Sequence, residues 1–159
     1  MMRTLQSLGN EVVCITTFTD QNDISTPLSY EMIEENIPHH GLLQLQDGVY
    51  RIMSKYEHDA DFFHVDGHLF LYGAGLYRRL GGKVPVSAFF NRELISFPED
   101  RSVLISTAQT SLLRRMKRLL RRLLESTFGM YLARAIDLRA FISPMYQTMY
   151  ERFGLTDNG

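Results

Sequence analysis

Residues 42–56 read LLQLQDGVYRIMSKY. Asp47-Gly48 stands between two apolar runs, and a type I′ turn needs positive φ at both of its central residues, a conformation Asp and Gly supply most readily. The stretch therefore predicts a β-hairpin. The same device recurs in FFHVDGHLFLY, residues 62–72, around Asp66-Gly67. LYRRLGGKVPVSAFF, residues 76–90, offers a third instance at Gly81-Gly82, where a plain loop fits equally well. Successive hairpins of short strands predict an antiparallel β jelly roll or barrel in the middle of the chain, with Pro85 at an edge or bulge.

Outward from there, EVVCITTFT (residues 11–19) has the β-branched make-up of a strand, and a polar loop follows it. Residues 1–10 suggest a short helical start, and residues 30–36 are ambiguous. On the C-terminal side Glu93–Ser96 reads as a last strand. Ser96-Phe97-Pro98-Glu99 is then a capping box for a short helix over residues 98–105. Arg114–Glu125, read with its lead-in as TAQTSLLRRMKRLLRRLLES, forms the clearest element of all. Leu112, Leu113, Met116, Leu119, Leu120, Leu123 and Leu124 recur at helical steps, while Arg114, Arg115, Lys117, Arg118, Arg121 and Arg122 occupy the positions between them, so the helix has a leucine face and a cationic face. A second helical pattern spans residues 130–141, and Ser143-Pro144 starts a third helix that Gly154 closes. Strands first and helices after predict an α+β fold, with a β-rich unit over residues 1–106 and a helical segment over 107–159.

Composition narrows the function. The chain has 159 residues, 45% hydrophobic and 22% charged, which suits one soluble globular unit. Its single cysteine, Cys14, excludes an internal disulfide framework, and there is neither a secretion signal nor an apolar run of membrane-spanning length. These features predict a cytoplasmic protein without a membrane partner. The net charge of −1 conceals a dipole: residues 1–66 carry three basic and eleven acidic residues, a balance of −8, which leaves +7 on the remainder.

Four segments resemble the sensor domain of the catabolite-activator (Crp/Fnr-like) regulators. LQDGVYRIM resembles that family's strand-Gly-strand hairpin, LFLYGAGLYRRLGG stands in the place of its phosphate loop, VSAFF resembles the strand beyond it, and ISFPEDRSVLISTAQTSLLRRMKRLL resembles the entry to its long dimerisation helix. The resemblance covers about residues 42–125 and implies a cyclic-nucleotide-binding-domain fold, a homodimer and a role in transcription. The loop Gly73-Ala74-Gly75-Leu76-Tyr77 lacks the family's ribose-binding glutamate, and Val86 replaces its phosphate-binding arginine, so no cyclic nucleotide is expected to bind. Too few residues follow Phe128 for the winged helix with which such regulators end.

The remaining candidates are these. Gly73, Gly75, Arg78 and Arg79 form a possible small-anion site, because glycine-rich backbone beside arginines can cradle phosphate. The leucine face predicts a dimer seam, with a partner-protein docking face and plain burial as the alternatives. The cationic face could contact DNA or simply be solvated. His64 and His68 flank Asp66-Gly67 without the spacing of a barrel metalloenzyme, so no metal and no cofactor are expected. Cys14 lacks basic neighbours and reads as an inert thiol. No Ser-His-Asp, paired-carboxylate or P-loop arrangement is present. The sequence thus points to a regulatory protein that works by binding, with an adaptor or chaperone as the alternative and a small metal-dependent barrel enzyme behind both.

Overall fold

Residues 42–55 fold as one helix instead of two strands. This is helix α2 (Leu42–Lys55); helix α1 (Met2–Ser7) and strands β1 (Val13–Thr17) and β2 (Glu31–Glu35) precede it, and strand β3 (Phe63–Asp66) follows. Within α2, Leu45, Val49 and Met53 recur at steps of four and are all buried. Burying three such side chains contributes roughly 6 kcal/mol, against about 1 kcal/mol for holding Gly48 in a helix interior. The helical repeat therefore overrides the local turn signal. Asp47, the expected turn residue, instead faces solvent and pairs one turn along with Arg51 at 2.9 Å.

The computed structural model describes residues 2–17, 30–37, 42–67, 70–90 and 112–155. The chain continues through helix α3 (Leu71–Arg79), strand β4 (Val86–Phe90), helix α4 (Leu112–Leu124), a π turn (Glu125–Gly129), helix α5 (Met130–Ala133), strand β5 (Leu138–Phe141) and helix α6 (Pro144–Glu151). All strand pairings among the described residues are parallel: β1 with β2, and β3–β4–β5 in that order. The antiparallel jelly roll is thereby overturned. Among the described residues there are small parallel sheets with helices between the strands, in place of strands first and helices after, and no closed barrel.

The hairpin at Asp66-Gly67 fails, and at Gly81-Gly82 the loop alternative holds, each for a visible reason. Gly67 does adopt positive φ, at 116°, but it leads from β3 toward α3, and β3 then pairs with β4 in parallel register, Phe63 opposite Val86 and Asp66 opposite Phe89. Gly81, with φ 97°, ends α3: its amide donates to the Arg78 carbonyl and that of Gly82 to the Tyr77 carbonyl, a helix-terminating pattern. Residues 138–141, expected to be helical, form β5, which completes the sheet beside β4. The expected strand at residues 93–96 and capped helix at 98–105 lie outside the described residues. Three further elements are as expected. β1 is a strand, α4 is a helix, and α6 begins at Ser143, whose hydroxyl accepts from the Tyr146 amide at 3.4 Å, and ends before Gly154 at φ 74°.

β4 is the middle strand, and Val86, Ala88 and Phe90 are completely buried, as a parallel strand covered by helices requires. Phe90 meets the Tyr150 ring edge-on at 4.9 Å and lies 5.2 Å from that of Phe141, joining β4, β5 and α6 in one aromatic cluster. α3 packs against α2 on one side and α5 on the other. Its glycines permit both contacts. A Cβ at position 73 would run into Val49, and one at position 75 into the Leu132 carbonyl of α5.

Candidate functional site

α4 joins the body through the π turn and α5, and the way it joins decides which face it shows. Glu125 is only 3% exposed and accepts a hydrogen bond from the Tyr72 hydroxyl at 2.5 Å, while Gly129 sits against the Tyr72 ring and Met130, Leu132 and Ala133 are buried. Burial, and then the neighbouring Glu125 charge, push the Tyr72 hydroxyl far above its ordinary pKa; the Arg121 charge pulls it in the opposite direction. By helical repeat, Glu125 continues the row of Arg114, Arg118 and Arg121. The body is therefore attached on the cationic side of the helix.

The leucines consequently point away from it. Met116, Leu119, Leu120, Leu123 and Leu124 are 47–68% exposed. Two aromatic residues extend the row: Phe128 and Tyr131, also about half exposed, with their rings stacked 6.3 Å apart. From Met116 to Tyr131 this apolar ridge is about 22 Å long at 1.5 Å per residue. Of Leu112, Leu113, Arg114, Arg115, Lys117 and Arg118 the structure describes the helical backbone alone, and their side chains lie outside the described residues. Arg121 is exposed and Arg122 half-buried. No acidic residue interrupts the helix between Leu112 and Leu124.

The π turn makes this geometry possible. Five residues are wound one residue per turn wider than an α-helix. The Ser126 and Thr127 hydroxyls both donate to the Leu123 carbonyl, at 3.2 and 2.6 Å, supplying partners where the regular ladder is interrupted.

The small-anion candidates are placed differently. Gly73 and Gly75 are buried inside α3 at its contacts with α2 and α5, and the Gly73 amide donates to the Gln46 side-chain oxygen at 2.5 Å. Arg78 donates to the Gly82 carbonyl and pairs with Asp137 at 2.7 Å; the other Asp137 oxygen accepts from the Val86 amide at 2.8 Å. That pair ties α3 to the start of β4 and to the approach to β5. Arg79 lies over the Tyr131 ring, 4.1 Å from its centroid, and donates to the Tyr131 carbonyl at 3.1 Å. Arg79 thus belongs to the body end of the exposed ridge, and the four residues do not converge on a common cradle.

His64 is on β3, and its Nδ1 lies 2.7 Å from the Ser87 hydroxyl of β4, while burial lowers its pKa. His68 lies outside the described residues. Among the described residues no group of His, Cys, Asp or Glu could hold a metal ion. Cys14 is half-buried, and burial pushes its thiol pKa up, away from reactivity. No helix among the described residues is long and apolar enough to cross a membrane.

Phe128, Tyr131, Tyr72 and Glu125 are not among the sequence candidates. A signal for the first two exists, since they follow Leu124 at steps of four and three. The Tyr72–Glu125 bond joins residues 53 apart and has no local signature. Comparison with protein-family models, with curated proteins and with solved structures returned no match.

Proposed function

We propose that the chain is a non-catalytic docking module, a small parallel α/β body that holds α4 by its cationic side and offers the leucine face as a binding surface. One observation carries this reading: five large apolar side chains in a row on one helix are 47–68% exposed. A contiguous apolar ridge with a polar border is the usual mark of an interaction site, whereas exposed leucines scattered singly are not. Regulation by binding, as the sequence suggests, is the role such a surface serves. The test is titration with a hydrophobic fluorescent dye. The intact chain is expected to bind it saturably, and Leu119→Ser with Leu123→Ser to abolish that binding. Equal dye binding by both proteins means that the face is covered and defeats the reading.

A second reading is favoured by the parallel register of β3, β4 and β5. It brings Asp66, Phe90 and Phe141 to the same carboxyl edge, the edge at which open parallel sheets receive small ligands. This rests on analogy of architecture. A thermal-shift screen of nucleotides tests it: a ligand that raises the midpoint for the intact chain and not for Asp66→Ala supports it, and no shift removes it.

A further inference from the structure

We propose that the occupant of the α4 face is an anionic lipid surface, with the helix lying in the membrane plane; this rests on the docking reading above and names its partner. The choice follows from charge. Between Leu112 and Leu124 there are six basic residues and no acidic one. A second copy pairing along this face would set cations beside cations at both borders of the seam, with no carboxylate in either helix to separate them, and like charges at such positions destabilise a helix pair. A nucleic acid would satisfy the arginines and leave the leucines in water. A bilayer surface rich in anionic headgroups satisfies both, because the acyl boundary receives the apolar ridge while phosphates meet the flanking guanidinium and ammonium groups.

Four features agree with an in-plane helix. The ridge is about 22 Å long, parallel to the surface it would enter and far from the length of a span. Its body end carries Phe128 and Tyr131, aromatic side chains of the kind that settle at the headgroup boundary. Arg79, stacked on Tyr131, adds a cation at that level. The body itself is attached through Glu125 and Gly129 on the opposite side, so it stays in water above the membrane when the leucines enter it.

The experiment is flotation of the full chain with phosphatidylcholine vesicles and with mixed phosphatidylcholine–phosphatidylglycerol vesicles. Binding to the mixed vesicles is expected to be stronger by at least about tenfold and to weaken as salt rises. Leu119→Ser with Leu123→Ser is expected to reduce it on the order of 100-fold, and Lys117→Gln, at the border of the leucine face by helical repeat, by about fivefold. Circular dichroism of each variant checks that the body remains folded, which surface positions make the expected result. Equal flotation with both vesicle types, or binding indifferent to the leucine pair, overturns the proposal. If nothing floats, light scattering and DNA retention separate the alternatives. A dimer that the leucine pair converts to a monomer gives the face to a second copy, overturning the lipid while the docking reading stands. Retention of random duplex DNA that ignores the leucine pair assigns the helix to its arginines and overturns both.

Discussion

α3 and α4 are joined to the same body and built on opposite plans. α3 is poorly segregated into faces: Leu71, Tyr72, Gly73, Ala74, Gly75 and Tyr77 are all buried, and neighbouring helices close on it from two sides. α4 is divided cleanly into leucine and cationic faces, yet Leu119, Leu120, Leu123 and Leu124 are open. The comparison teaches that strong amphipathicity identifies a helix without saying that its apolar face is filled. Burial depends on what the rest of the chain brings to it, and here α2 and α5 are spent on α3.

The comparison can be broken most severely at Gly75. Gly75→Val would drive a side chain into the Leu132 carbonyl, and a loss of about 3 kcal/mol in urea unfolding is expected. Tyr72→Phe removes the hydroxyl that serves the buried Glu125 and is expected to cost about 2 kcal/mol by the same measurement. By contrast, Leu119→Ser with Leu123→Ser should leave the unfolding free energy within about 0.5 kcal/mol of the parent. A loss of core-like size there would mean that α4 is covered as α3 is. The smallest effect is expected where α2 meets β2. Glu35 is held below its ordinary value of 4.5 by hydrogen bonds from Lys55 and Tyr56. Because the folded pKa is the lower one, its contribution is complete above the unfolded value and disappears as pH falls through the folded value. Glu35→Gln should therefore lower the urea midpoint slightly at neutral pH and change it least in acid, which flattens the acid limb.

The two regions also differ in how far the sequence reveals them. α4 and α6 were legible because their signals are local: a segregated repeat in one, Ser143-Pro144 and Gly154 in the other. β1 was legible from its β-branched residues. α2 was misread because Asp47-Gly48 is a strong turn signal in a segment short enough for strand and helix patterns to compete, and only the burial of Leu45, Val49 and Met53 decides between them. The parallel pairing of β3, β4 and β5 joins residues far apart, so nothing within four or five residues announces it. β5 is four residues long and sits within an apparently helical pattern. Of the candidate surface, the leucine row was visible in the sequence. Its outward direction was not, since that is set by Glu125 and Gly129 meeting Tyr72 across the fold.

The π turn has one more consequence, which concerns phase. A π turn accommodates one residue more than an α turn, and each residue of an α-helix advances the chain by about 100°. Glu125–Gly129 therefore acts as a fixed rotational offset between α4 and α5. Winding the same residues as an uninterrupted α-helix, without the wider turn, would turn α4 by about a quarter revolution relative to the body. The leucines would swing off the outward direction while every leucine remained. What the chain presents to its surroundings is thus set by the angular timing of one turn as much as by the residues that follow it.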